Sequence, residues 1–192
     1  MAMKYTQIPT DTFETIQLNA GILATGFEPS TGTVTGILGA TTGGSNFQDA
    51  VEYEDFGEDI DNCPKNTLEL KKITGRTVTL STTFVTMKPS TAKSLVGAGD
   101  IDGTDSTKII PRDVLETTDF KDLWWIGDYS NVNTGASAGF IAIHMMNTLS
   151  TGGFQIQSTD MAKGQFSAEY TAHYSIEDQE TVPYEIYVKA GS

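Results

Sequence analysis

Alternation of apolar and polar positions is strongest over residues 76–87 (RTVTLSTTFVTM). Val78, Leu80, Thr82 and Phe84 fall on one side, and Thr77, Thr79, Ser81 and Thr83 on the other. Successive side chains of a strand point to opposite faces, so this segment predicts a long strand with one apolar face and one ladder of hydroxyls. Residues 164–174 repeat the pattern: Phe166, Ala168, Tyr170, Ala172 and Tyr174 alternate with Gln165, Ser167, Glu169, Thr171 and His173. A last strand is predicted at 183–189, with Tyr184, Ile186 and Val188 on one side. Apolar runs at 120–130 and 138–147 predict buried strands, joined by a hairpin loop at 131–135. Weaker strand patterns occupy 12–18, 33–38, 46–53 and 153–158, whereas 41–45 (TTGGS) reads as a turn. The best helix is 90–96, after Pro89, capped by Ser90 and stopped by Gly97 and Gly99. About eight strands and one short helix predict an all-β sandwich or barrel, in one domain over residues 1–192.

Charge narrows the function classes. The 192 residues carry 12 Lys+Arg against 25 Asp+Glu, a net charge of −13, and the sequence pI is about 4.3. Binding a nucleic-acid backbone needs clustered Lys and Arg that release counterions, so that class is excluded, as is docking on an anionic membrane. A protein that must let DNA pass without holding it remains compatible. No apolar run approaches the ~20 residues that span a bilayer. Residues 1–10 lack the apolar core of a secretory signal, so synthesis and folding in a cytoplasm are expected. The lone Cys63 excludes an internal disulfide framework and a cysteine-based zinc site.

Candidate chemistry is sparse. The run DIDGTD at 100–105 has Gly103 fourth and Pro111 twelfth, where a calcium loop needs Gly sixth and a bidentate Glu twelfth. An Asp-Gly turn explains it better. His144 lies in an apolar run and His173 on the polar side of a strand; neither has a nucleophile or acid at motif spacing, and no Gly-rich phosphate loop exists. No catalytic residue, cofactor or metal is expected. From Glu52 to Asp61 the chain reads EYEDFGEDID, a dense acidic loop with Phe56 at its centre. A solvated loop is one reading; the other is a contact with a neighbouring subunit, which would bury Phe56 for roughly 1.5–3 kcal/mol. Trp124 and Trp125 are adjacent on one strand and point to opposite faces. One is expected in the core and the other as an interface anchor or a sugar platform.

Several segments in order carry a resemblance. NAGIL at 19–23, ILGATTGG at 37–44, YEDFGEDIDNCPKNTLELKK at 53–72, TAKSLVGAGDID at 91–102, DFKDLWWIGDYS at 119–130 and KGQFSAEYTAHYSIEDQETVPYEIYVK at 163–189 resemble the major tail proteins of long-tailed bacteriophages of Gram-positive hosts. The resemblance implies a tail-tube protein: a β-sandwich or barrel with a short flanking helix, assembled as hexameric rings that stack into a tube. Strands from neighbouring subunits would join into an inner β-barrel through which the genome passes without specific binding. Implied partners are further copies of the chain, the tape-measure protein, the tail terminator and tail-tip proteins. The implied location is the virion tail, assembled in the host cytoplasm. On this reading the hydroxyl faces of the two long strands line the channel: Thr77, Thr79, Ser81 and Thr83 on one, Gln165, Ser167, Glu169 and Thr171 on the other. Segment 1–40 and the acidic loop around 52–66 are expected as arms between subunits, with Glu54, Asp55, Phe56, Glu58 and Asp59 in contact. The alternative is a carbohydrate- or host-binding β-sandwich module of a phage tail, using Trp124 or Trp125 as its platform.

Overall fold

The computed structural model describes residues 8–129 and 139–190. Among the described residues ten strands run in chain order: β1 Ile22–Glu28, β2 Thr33–Ile37, β3 Thr41–Asp55, β4 Lys71–Phe84, β5 Gly99–Ile101, β6 Ile109–Pro111, β7 Lys121–Asp128, β8 Phe140–Ser150, β9 Phe166–Thr171 and β10 Tyr184–Lys189. One helical turn, α1 (Thr12–Thr15), precedes them, and a two-turn helix, α2 (Pro89–Val96), follows β4. Eight of the strands form one antiparallel sheet in the order β2-β1-β7-β8-β9-β4-β3, with β10 also paired to β8; β5 and β6 make a separate hairpin. The fold is all-β with a short helix, as the alternating pattern predicts.

Strand β8 belongs to both halves of the sheet. Its residues Phe140–Met145 pair with β10, and the same stretch pairs with β7. Its last residues, Leu149 and Ser150, pair instead with Thr171 and Tyr170 of β9. The switch falls after Asn147, which adopts a left-handed backbone at φ 50°. That conformation is unfavourable for most residues and tolerated best by Gly and Asn. Asn147 is held there by the Asp122 carboxylate, which accepts from its N–H at 3.2 Å, and by the His173 carbonyl, which accepts from its side-chain amide at 3.3 Å.

The two halves fold over a shared core. Leu23 of β1, Leu123 of β7 and Met145 of β8 pack with Val78, Leu80 and Phe84 of β4 and with Ala168 and Tyr170 of β9. These are the apolar positions read from the alternation of β4 and β9. A second cluster, Phe27, Trp124, Ile126 and Phe140 with Ala142, buries itself on the other face of β1, β7 and β8. Helix α2 closes one end of the core with Leu95, which is fully buried. It is tied down twice: the Thr91 hydroxyl donates to the Leu38 carbonyl at 2.6 Å, and the Ser150 hydroxyl donates to the Leu95 carbonyl at 3.0 Å.

Local expectations are corrected at several points. Lys88, not Ser90, is the N-cap of α2, and Ser90 lies inside its first turn. Residues 52–55 of the acidic run, expected as loop, are strand. Residues 41–45 are strand, not turn. Gly43 and Gly44, at φ 74° and 82°, form an irregularity inside β3, where the register with β4 shifts between Thr42 and Ser45. Over 12–18 the chain forms the helical turn α1 and a single bridge, Gln17 to Tyr129, instead of a strand. Over 153–158 there is one bridge, Gln157 to Gln165. Asp100 and Ile101, the start of the run that reads as an Asp-Gly turn, belong to β5. The hairpin loop expected at 131–135 lies outside the described residues.

Candidate functional site: a hydroxyl sheet face and an acidic hairpin tip

The registers of β3, β4 and β9 bring the predicted polar positions together on one face. Thr79 stands opposite Gln48 on one side and Thr171 on the other. Ser81 stands between Asn46 and Glu169, and Thr83 between Thr42 and Ser167. Thr77 pairs with Ala50, past the end of β9. Gln165 lies just before β9, bridged to Gln157. The Thr171 hydroxyl meets Thr151 at 2.8 Å and carries the polar surface onward. The same residue parity places Glu52 on this face. Where β3, β4 and β9 lie side by side, the charged member of this face is Glu169; farther along the ribbon Glu52 and Glu54 follow on β3, and past the register shift Lys72 of β4 stands opposite Glu54. The nearest cation in β4, Arg76, turns to the opposite face and pairs there with Asp49.

That Arg76–Asp49 pair fixes the base of a long ribbon. Asp49 also accepts from the Tyr184 hydroxyl at 2.9 Å, so β3 and β4 are fastened to β10 on the far side of the core. Burial, reinforced by the adjacent carboxylate, holds the Tyr184 phenol above its ordinary pKa. Beyond this clamp β4 has no β9 beside it, and Asp49–Asp55 of β3 runs on with β4 as a two-stranded ribbon.

The acidic segment is the tip of this ribbon. Asp55 ends β3, and its carboxylate accepts from the N–H groups of Asn66 at 2.7 Å and Gly57 at 3.0 Å. Those two bonds lower its pKa. Glu58 pairs with Lys65 at 2.9 Å. Of the five residues expected at a subunit contact, Asp55 and Glu58 thus also organise the loop itself, whereas Glu54, Phe56 and Asp59 face solvent. Phe56 is 50% exposed, with the Lys72 ammonium 5.5 Å from its ring centre. Of segment 1–40, residues 1–7 lie outside the described residues, while β1 lies within the sheet and β2 at its edge. Ala20 in the connection to β1 accepts from the Trp125 indole N–H at 3.1 Å.

The paired tryptophans are both drawn into packing, Trp125 remaining half-buried. Trp124 is buried, stacked on His144 at 4.1 Å and met edge-on by Phe27. Trp125 packs against the main core. His144 lies between Asp122 at 3.1 Å and Glu185 at 3.5 Å, and His173 bonds the Asn147 carbonyl. Both histidines therefore have local structural partners. In the 100–105 loop, Asp102 caps Thr104 and Asp105 caps Thr107, with their carboxylates turned to neighbouring backbone. Among the described residues no group of three His, Cys, Asp or Glu is placed to hold a metal ion, and no helix is long and apolar enough to cross a membrane.

Sequence reasoning missed the open strand edges. Among the described residues β2 and β3 end the sheet path, and β10 has β8 as its partner. Pairing order is not written in local alternation, so the length of the open β3 edge, 15 residues, emerges only from the topology. Comparison with known protein families matches no family model to this chain, and comparison with curated proteins finds no match.

Proposed function

We propose that this chain is a structural subunit of a bacteriophage tail tube, assembling as stacked hexameric rings around a channel for the genome. The observation that carries the reading is the sheet face of β3, β4 and β9, wide, hydroxylated and, where the three strands lie side by side, without a Lys or Arg. Double-stranded DNA carries about one charge per 1.7 Å of axis, and a Lys- or Arg-rich wall would bind it through counterion release. A wall of Thr, Ser, Asn and Gln with occasional Glu stays wet and does not bind it. The open β3 edge supports the same reading. An exposed edge of that length is an aggregation hazard alone, and closing a ring with neighbours removes it.

The work of such a protein is mechanical, with no catalytic step. Its partners would be further copies of itself, the tape-measure protein, and the terminator and tip proteins at the tube ends. Its location would be the virion tail. Sedimentation velocity across a concentration series tests the assembly. The expected result is a species many times the 20.7 kDa chain, growing with concentration. A strictly monomeric protein at every concentration and in every salt would contradict it.

A further inference from the structure

A cavity of about 410 Å³ opens beside α2, between the two halves of the sheet. Its size is that of an ordinary ligand pocket. Ile37, Leu38, Ile101 and Leu123 give it apolar walls, and the Tyr170 and Ser94 hydroxyls, 3.2 Å apart, lie among its lining groups. Four charged side chains also line it. Lys93 pairs with Asp100 and Asp119 with Arg112, whereas the Asp122 carboxylate meets His144 in a hydrogen bond at 3.1 Å and stays half-exposed. Lys121 has no ion-pair partner among the described residues, and it is exposed.

The ribbon tip offers an exposed apolar side chain between two carboxylates, one of which can meet Lys121. Ile60 is 52% exposed and sits between Asp59 and Asp61, neither of which has an ion-pair partner among the described residues. The tip is already ordered: the Ile60 N–H donates to the Gly57 carbonyl at 3.3 Å, and the Cys63 N–H to the Ile60 carbonyl at 3.1 Å. A pre-ordered loop loses little freedom on docking. The tip cannot reach the cavity of its own chain. Tyr170 stands opposite Leu80 while the tip lies beyond Lys71, which is about 30 Å along the strand at ~3.3 Å per residue.

We infer that the Asp59-Ile60-Asp61 tip of one copy docks in the α2 cavity of the next, with Ile60 on the apolar wall and a flanking carboxylate on Lys121. The inference rests on the self-assembly reading and deepens it by naming the two surfaces. Such a contact is heterologous, so it repeats from copy to copy and either closes a ring or extends a filament.

A mixture of ordinary and ¹⁵N-labelled protein, treated with a carbodiimide and digested, tests the contact. The expected product is a mixed-isotope peptide joining Lys121 to Asp59 or Asp61. Lys121→Glu alone, and Asp59→Lys with Asp61→Lys, should each raise the concentration for half-association at least tenfold. Mixing the two variants should restore it. Circular dichroism melts confirm that the variants fold. Absence of the mixed-isotope linkage overturns the inference. Tubes that form without that linkage overturn the docking and leave the tube reading standing. The linkage in chains that never form tubes supports the docking and counts against the tube reading.

Discussion

Single side chains in this protein mostly serve their neighbours. Asp102 accepts from the Thr104 N–H at 2.8 Å and from its hydroxyl at 2.7 Å, with Lys108 also in reach at 3.2 Å. These bonds favour the carboxylate and bring its pKa from 3.8 to about 2. A depressed folded-state pKa contributes stability above the unfolded value and loses it as pH falls through the folded one. The contribution of Asp102 is therefore complete above about pH 4 and disappears towards pH 2. Asp55 shifts in the same direction, through Asn66 and Gly57. An NMR titration should place the Asp102 carboxyl midpoint near 2 and that of Asp55 below the ordinary aspartate value. Asp55→Ala should loosen the tip, seen as severalfold faster reaction of Cys63 with a thiol reagent, because Gly57 packs close to its sulfur. Thr91 is a different kind of anchor, fully buried, with its hydroxyl on the Leu38 carbonyl. Thr91→Val orphans that carbonyl, and urea unfolding should show a loss of about 1–3 kcal/mol.

Among the elements, β3 depends most directly on glycine backbone. Gly43 and Gly44 both take left-handed backbone in mid-strand, and an added Cβ at either would meet open space. The requirement there is conformational, not steric. Gly44→Val should destabilise the fold by about 1–2 kcal/mol, measured by thermal or urea unfolding. The same pair explains why this stretch reads as a turn in the sequence: two glycines mark either a turn or an irregular strand, and local composition does not separate them. By contrast β4 was legible. Val78, Leu80 and Phe84 alternate with hydroxyl residues, one face is buried, and no glycine interrupts the pattern from Thr77 to Phe84. β1 gave no such signal because consecutive residues Leu23 and Ala24 are both buried, one in each cluster, and alternation vanishes when both faces of a strand are covered. The hydroxyl face itself was legible strand by strand. Its assembly into rows such as Gln48–Thr79–Thr171 was not, since register depends on contacts distant in sequence. The α2 cavity was equally hidden, being built from residues between Thr25 and Tyr170.

For the whole molecule, charge and assembly pull against each other. Copies with a net charge of −13 repel at low ionic strength, and salt shortens the reach of that repulsion to about 8 Å near 0.15 M. The concentration needed for assembly should therefore fall between 20 mM and 0.3 M NaCl, as read by light scattering. Assembly that weakens steadily over that range would mean that attraction between opposite charges dominates the contacts. The −13 also takes on a location. Part of it, Glu52 and Glu169, lies on the hydroxyl face, and part sits on the ribbon tip. Cryo-electron microscopy of the assembled particles tests the central claim most directly. The expected result is a ring or tube with an open channel whose wall carries Thr79, Ser81, Thr83 and Glu169. A channel walled by other residues and dominated by Lys or Arg, or an assembly with no channel at all, would contradict it.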